Sequence, residues 1–189
     1  MRVLDVGVLC CLASASSSSS SFLKADDPNY TSLFGDYFPI SLTVGNETIE
    51  ARAQVAIRDQ EQHQGLMYRT ALPENSGMYF MYTTDEKRVL YMRNTKIPLD
   101  AGWFSADGVL HEVMHLKPMD ESWVWTQATN MRFGLEMEAG WFAKHGADPA
   151  APGYACGNSD GCVRVDTQAL AKALQTKGYS SACGTYLSC

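Results

Sequence analysis

The sequence predicts a mainly β protein, built as one antiparallel β-sandwich or as a small barrel, with short helices and a disulfide-bonded helical C-terminal tail. About eight short segments rich in apolar residues follow one another with turn residues between them, as in a sandwich or barrel. The helical segments are too few and too short for parallel crossovers, which need about a dozen residues or more. With 46% hydrophobic residues in a chain of 189, we expect one domain with a real core.

The first predicted hairpin lies in residues 39–57. The segment PISLTV alternates apolar and polar residues, and GNET supplies turn chemistry. The following TIEARAQVAI alternates again, so we expect two strands with one buried face. Good helix formers in RDQEQHQGLMYRT then predict a short helix near Asp59–Met67.

Six further strands are predicted after this helix. Their sequences are MYFMY, VLYM, LDAGWFS, VLHEVMHL, SWVWTQAT and MRFGLEME. An Asp-Gly pair at residues 107–108, between two apolar runs, is a strong hairpin signal. The segment AGWFAKHG is predicted to form one helical turn that Gly146 ends. Asp166 is predicted to cap a tail helix, TQALAKALQTKG, that ends at Gly178.

Composition divides the chain into four regions. Residues 1–15 have the order of an export signal: a positive charge, a short apolar stretch and small residues. A disordered cytosolic leader is the alternative, because Asp5 interrupts the apolar stretch. Residues 16–37 form a serine-rich linker followed by an aromatic arm. Residues 38–149 form the β domain, and residues 150–189 form a tail with four cysteines.

The four tail cysteines predict a disulfide framework. They are Cys156, Cys162, Cys183 and Cys189. Zinc sites usually contain cysteine pairs two to four residues apart, whereas these cysteines come in two six-residue steps. Three connectivities remain open. Disulfides imply an oxidising, extracytoplasmic compartment: secreted, periplasmic, or an organelle lumen such as the thylakoid lumen.

Charge and motif content argue against several functional classes. A net charge of −6 offers no basic surface for nucleic acid. No apolar run approaches the roughly 20 residues that span a bilayer, so we expect no transmembrane segment. The β domain contains neither a cysteine nor a Gly-x-Ser-x-Gly motif, so it offers no obvious nucleophile. We therefore lean against an enzyme and expect no cofactor.

The aromatic arm is the first candidate for a protein partner. Its rings must be buried against some surface. The arm either folds over its own domain or docks on another protein. In the second case the contact residues are Phe22, Tyr30, Phe34 and Tyr37.

Three motifs in the β domain stand in the order and spacing of one known family. They are QGLMYRTALPENSGMYFMY, YMRNTKIPLDAGWFSADG and LEMEAGWFAKHG. Over residues 48–148 the chain thereby resembles the family called domain of unknown function 192. The resemblance implies a compact, jelly-roll-like β domain, exported in many members, and it implies no activity. Leu90-Tyr91 and Arg93 depart from the Phe-Trp and Lys that the family usually has.

The resemblance selects a set of motif positions whose role is open. These positions are Gly65, Leu66, Met67, Arg69, Gly77, Met78, Met92, Asn94, Thr95, Pro98, Leu99, Asp100, Glu136, Gly140 and Trp141. A buried Asp100 must be paired, and Arg69 or Arg93 is the expected partner. Asn94 and Thr95 can satisfy backbone groups before Pro98. In this interpretation the motif is a structural corner.

The alternative interpretation is a small polar pocket for an anionic or sugar-like ligand. Its residues would be Arg69, Asn94, Thr95, Asp100, Trp103 and Trp141. Asp100 and Glu136 could also serve as paired carboxylates of a hydrolase, but their separation cannot be read from sequence. His111 and His115, with Met114 between them, are candidates for a soft metal site. Met114 would point to the opposite strand face, so we expect no metal there.

Taken together, the sequence favours a non-catalytic, extracytoplasmic β domain. It would act as a binding or scaffolding accessory subunit of a larger assembly, for example a plastid membrane complex, through its arm and tail. A small-molecule binder or a hydrolase that uses the Asp100 corner is the alternative. Ligand, partner and oligomeric state stay open.

Overall fold

The computed structural model describes residues 35–150, 162–179 and 187. The predicted export signal, most of the aromatic arm and three of the four tail cysteines lie outside the described residues. The predictions that rest on them therefore stay predictions; the residues concerned are Phe22, Tyr30, Phe34, Cys156, Cys183 and Cys189. Cys162 is described, and it is buried.

Nine strands and three helices make up the described part of the chain. The strands are β1 (Phe38–Val44), β2 (Glu47–Ala56), β3 (Ser76–Glu86), β4 (Val89–Leu90), β5 (Leu99–Phe104), β6 (Leu110–Leu116), β7 (Val124–Trp125), β8 (Met131–Glu138) and β9 (Arg164–Val165). The helices are α1 (Asp59–Gln64), α2 (Trp141–Lys144) and α3 (Thr167–Thr176). The mainly β class with short helices is thus confirmed, and the short β9 was not predicted.

Seven of these strands form one sheet in the order β6-β5-β8-β3-β2-β1-β9, and β4 pairs with β7 separately. The large sheet curls, and its two edges approach each other at one end, where Val109 and Arg164 form an isolated bridge. Leu110 N donates to the Val163 carbonyl at 2.9 Å, and Val165 N donates to the Gly108 carbonyl at the same distance. The described strands thus form a half-barrel, closer to the small-barrel alternative than to two stacked sheets.

The prediction of a purely antiparallel sheet was wrong for one pair of strands. β2 and β3 run parallel, from Arg52 opposite Ser76 to Ala56 opposite Phe80. Residues 57–75 connect them and include α1. This connection is long enough for a crossover even though its helix is short. The sequence argument was wrong because it considered helix length alone.

Helix α1 ends earlier than predicted. The Glu61 carboxylate accepts the N–H groups of Ile57 at 3.0 Å and Arg58 at 3.1 Å, so it caps the start of the helix. Gly65 then adopts a positive φ of 47°, which an L-residue rarely adopts, and this ends the helix before Met67.

Both faces of the curled sheet are covered by apolar side chains. One core cluster includes Tyr79, Phe104, Leu135 and Phe142. A second cluster on the other face includes Phe80, Met92, Trp103 and Met131. This second layer is built largely by the segments around α1 and between β4 and β5, and it covers a sheet face that would otherwise meet water.

Part of the C-terminal tail joins the domain. β9 pairs with β1, with Leu42 opposite Val165. The Asp166 carboxylate accepts the Ala169 N–H at 2.8 Å, which confirms the predicted cap of α3. Leu170 and Leu174 are fully buried on one face of this helix. Gly178 takes a φ of 89° just past its end, as predicted.

Candidate ligand-binding cavity

Asp100 is buried, but its partners are not the predicted arginines. Its Oδ1 lies 2.8 Å from Nδ1 of His115, and its Oδ2 accepts the Gly140 N–H at 2.7 Å. The prediction that Arg69 or Arg93 pairs with it was therefore wrong. Asp100 lies directly opposite His115 across β5 and β6, so the strand register brings these two side chains together.

His115 lies on the surface, beside two carboxylates. Its Nε2 is 3.9 Å from Oδ2 of Asp148. The hydrogen bond with Asp100 raises the pKa of His115, and desolvation opposes this rise. Because Asp100 joins β5, β6 and the backbone before α2, its contacts are those of a structural corner.

The other predicted pocket residues lie in separate places. Arg69 donates to Oε1 of Gln54. Asn94 adopts a φ of 56°, and its Nδ2 donates to the Tyr68 hydroxyl at 3.1 Å. Thr95 is buried and donates to the Arg93 carbonyl at 3.3 Å. None of these contacts involves Asp100.

The two predicted tryptophan walls belong to different core clusters. Trp103 donates its indole N–H to the sulfur of Met114 at 3.3 Å, within the second cluster. Trp141 donates to Oδ1 of Asn75 at 3.2 Å and belongs to the first cluster. The predicted set of six residues therefore does not converge on one pocket.

The two carboxylates considered for hydrolysis face opposite sides of the sheet. Asp100 is opposite Met137, and Glu136 is opposite Ala101. Since neighbouring residues of a strand point to opposite faces, the Asp100 and Glu136 side chains are separated by the sheet itself. This geometry offers no paired-carboxylate site.

The histidine candidates for a metal site have other partners. Nε2 of His111 lies 3.0 Å from the Ser105 hydroxyl, whereas His115 pairs with Asp100. Among the residues that the structure describes, no three His, Cys, Asp or Glu side chains are grouped so as to hold a metal ion.

A cavity of ≈ 390 Å³ lies on the second face of the sheet, beside α1. Its apolar lining comes from Leu66, Met67, Phe80, Val89, Leu90 and Met92. Three aromatic residues with a polar edge also line it: Tyr82, Tyr91 and Trp123. The principal polar side chains are Asp59, Gln62, His63, Gln64, Thr95 and Glu136. The lining thus combines apolar walls with a few polar groups, as small-molecule sites do.

Glu136 is the unusual residue of this cavity. It is only 6% exposed, and no group in the described part of the chain forms a hydrogen bond with its carboxyl. Burial raises the pKa of Glu136 from 4.5 to about 8, although the positive charge of Arg69 acts in the opposite direction. At neutral pH the carboxyl of Glu136 is therefore mainly protonated.

Several polar groups around the cavity are already engaged. Nε2 of Gln62 donates to the Met81 carbonyl at 2.8 Å. The Tyr91 hydroxyl and Nε2 of His63 lie 3.3 Å apart. Glu136 therefore stands out as a buried ionisable group whose hydrogen-bonding capacity is unused.

Sequence reasoning missed this cavity because of the alternation in β8. In MRFGLEME, Arg132, Gly134, Glu136 and Glu138 share one face, and this polar pattern predicts a face toward water. The second layer of side chains covers that face at Glu136 and leaves Glu138 exposed. The apolar run after α1 is a signal that could have indicated the cavity, because those residues have to pack on some face of the sheet.

A family model covers most of the described domain. It matches residues 40–151 and is described as an uncharacterized ACR, domain of unknown function 192. The chain belongs to this family. Six motif positions of the domain of unknown function 192 line the cavity: Gly65, Leu66, Met67, Met92, Thr95 and Glu136.

Two solved structures are similar to this domain of unknown function 192 protein. One, from Sinorhizobium meliloti 1021, is named as a candidate transcription regulator; it is 22% identical, with a TM-score of 0.59 over 69% of this chain and 93% of that one. The other, a protein of unknown function from Novosphingobium aromaticivorans DSM 12444, is 26% identical, with a TM-score of 0.58 over 69% and 84%. A search of curated proteins found no match. The similarity to the first structure supports the fold alone.

Proposed function

We propose that this protein binds a small organic molecule in the cavity beside α1, with Glu136 as the residue that orients it. The observation that carries the proposal is the buried Glu136 carboxyl, which lines the cavity and has no hydrogen-bond partner among the described residues. A buried ionisable group without a partner destabilises the fold, so its presence beside a cavity favours a functional role.

The dimensions and composition of the cavity support the same proposal. A volume of ≈ 390 Å³ falls within the roughly 300–1,000 Å³ of small-molecule sites. Residues of α1 line the cavity together with Trp123, which has 68% of its surface exposed. The lining therefore reaches the protein surface at Trp123.

Protein-observed methyl NMR with a library of small metabolites tests the proposal. The isotope-labelled methyl groups of Met67 and Met92 report binding inside the cavity. We expect at least one compound to shift both methyl signals, and Glu136→Leu to abolish that shift. Glu138→Leu is the matched control, because Glu138 lies two residues further along β8 and is exposed. A library without any compound that shifts these signals, or equal binding to Glu136→Leu, would contradict the proposal.

The accessory-subunit role in an extracytoplasmic compartment is our second proposal. Tyr37 is the described member of the predicted arm contacts; it is half-buried, and the Arg52 guanidinium lies 5.3 Å from its ring centroid. This contact anchors the C-terminal end of the arm on its own domain, and we propose that Phe22, Tyr30 and Phe34 contact the partner. Among the described helices, none is both long enough and apolar enough to cross a membrane.

Deletion of residues 22–34 tests the accessory role. We expect the shortened protein to lose co-purification with its partner while its β domain keeps its thermal unfolding temperature. Unchanged co-purification would show that the arm does not bind the partner. The disulfide-bonded tail belongs to the same proposal; Cys162 is its described cysteine, and it is buried. We do not extend the regulator name to this chain, because its net charge of −6 disfavours DNA binding.

A further inference from the structure

We infer that the molecule held in this cavity carries a compact organic cation, a methylated or primary ammonium group, seated against Glu136. This inference rests on the proposed small-molecule site and adds the chemical class of its ligand. Three features of the lining support it: its acidic groups, its aromatic walls and the unused hydrogen-bonding capacity of one of its acids, Glu136.

The charges of the lining are acidic. Asp59 and Glu136 both line the cavity, and no lysine or arginine from the described ranges does so. Arg69 is close enough to influence Glu136, but it is engaged with Gln54 and is not part of the lining. An anion would therefore meet two carboxyls without a lining cation, which disfavours the anionic ligand considered from the sequence.

The aromatic walls suit a cation that carries methyl groups. Phe80, Tyr91 and Trp123 line the cavity, and the negative face of an aromatic ring attracts an ammonium group within about 6 Å of its centroid. Tyr82 contributes less of its ring faces, because the guanidinium carbon of Arg88 lies 3.9 Å from its centroid and Trp103 packs against it. Tyr91 and Trp123 also pack against other rings, His63 and Trp125 respectively, so a cation would meet the ring surface that these contacts leave uncovered.

The carboxyl of Glu136 supplies the matching charge. An ammonium group beside it would provide the counter-charge that the described protein groups do not fully supply, and would turn an unpaired buried acid into an ion pair. A neutral sugar would instead leave the acid protonated. Because the cation selects the ionised carboxylate, binding should release a proton and strengthen as the pH rises.

The pH dependence can be assigned because few titratable groups face Glu136. Arg69 and Tyr82 interact with it electrostatically, and Asp59 and His63 line the same cavity. With the pKa of Glu136 at about 8, the ionised fraction rises about a hundredfold between pH 6 and pH 9. The affinity for a permanently charged cation should follow this fraction.

A titration with choline and its uncharged isostere 3,3-dimethylbutan-1-ol tests the inference. The two probes have nearly the same shape, and only choline carries a charge. We expect choline to bind more tightly, with an affinity that rises about a hundredfold from pH 6 to pH 9 and with release of a proton near pH 7. The Met67 and Met92 methyl signals locate both probes in the cavity.

Two variants separate the ligand class from the site itself. Glu136→Gln should weaken choline binding at pH 9 more than tenfold and remove most of the pH dependence, whereas the exposed Glu138→Gln should leave both unchanged. If the neutral isostere binds as tightly as choline, or if Glu136→Gln keeps the full pH dependence, the cation inference is wrong and the cavity remains a binding site. If neither probe nor any library compound shifts the methyl signals, the proposed function fails as well.

Discussion

Replacing Glu136 with glutamine should make the protein more stable than the wild type, by an amount that grows with pH. The change keeps the size of the side chain and removes its ability to ionise. In the folded protein burial raises the pKa of Glu136 from 4.5 to about 8. Between these two values the unfolded chain releases a proton that the folded protein retains, so the free energy of unfolding of the wild type falls as the pH rises.

The magnitude follows from the same two pKa values. Each pKa unit corresponds to about 1.4 kcal/mol, so the full difference between 4.5 and about 8 amounts to roughly 5 kcal/mol. The favourable contribution of the protonated carboxyl is complete below pH 4.5 and is lost as the pH rises through 8. This loss is comparable with the whole stability of many domains, about 5–15 kcal/mol, and relaxation of the cavity will reduce it.

Urea unfolding at pH 4.5, 6, 7, 8 and 9 measures this effect. We expect the curve of Glu136→Gln to diverge from that of the wild type above pH 5 and to run parallel to it above pH 9. Glu138→Gln, on the same strand but exposed, should follow the wild type throughout. A constant difference between the wild type and Glu136→Gln at all pH values would refute the reasoning, because Glu136 would then ionise equally in both states.

Two further predictions concern the packing of the sheet and its charged corner. In Gly77→Ala the new Cβ would lie 2.0 Å from the Glu136 carbonyl oxygen, so we expect a loss of roughly 3 kcal/mol in urea unfolding. Gly35→Ala is the control, because Gly35 has open space around it. A loss below about 1 kcal/mol in Gly77→Ala would contradict the predicted clash. In Asp100→Asn the pKa of His115 should fall toward 6.5, because its hydrogen-bonded carboxylate is gone, and NMR titration of the imidazole measures this. The stability deficit of this variant should be largest below pH 6.5, where His115 is charged in both states, and should shrink as the pH rises; an unchanged pKa would exclude Asp100 as its cause.

Most of the strands could be predicted because their sequences carry local signals. The alternation in residues 39–57 and the Asp-Gly turn at 107–108 specify their hairpins without information from elsewhere in the chain. The parallel pairing of β2 with β3 has no such signal, since it depends on how residues 57–75 cross the sheet. The two-residue β9 is also defined only by its partner, β1.

The partner of Asp100 could not be predicted because it depends on a single irregularity. A regular hairpin starting from Phe104 opposite Leu110 would place Met114 across from Asp100. A bulge between Trp103 and Phe104 shifts the register by one residue, and this places His115 there instead. A one-residue shift exchanges the faces of all later side chains. The sequence therefore identified Asp100 as the buried acid of the corner but not His115 as its partner.

The cavity could not be predicted because burial of Glu136 depends on a second layer that lies far away in sequence. Alternation along β8 correctly places Glu136 on the polar face of its strand. Whether that face meets water is decided by residues 59–67 and 88–95, which fold over it. A strand pattern describes which side chains share a face, but it does not describe what covers them.

A buried polar group without a hydrogen bond indicates a binding site only when the group is an acid or a base and lies beside a cavity. The Tyr79 hydroxyl is also buried without a hydrogen bond, but it is neutral, and Tyr79 packs in the first cluster rather than beside the cavity. Asp100 is a buried acid as well, yet two groups satisfy its oxygens. Glu136 alone among these three combines an ionisable group, no hydrogen-bond partner among the described residues and an adjacent cavity. A ligand can supply the hydrogen-bond partner that the described residues do not give Glu136. We therefore assign ligand binding to Glu136 and a structural role to Asp100.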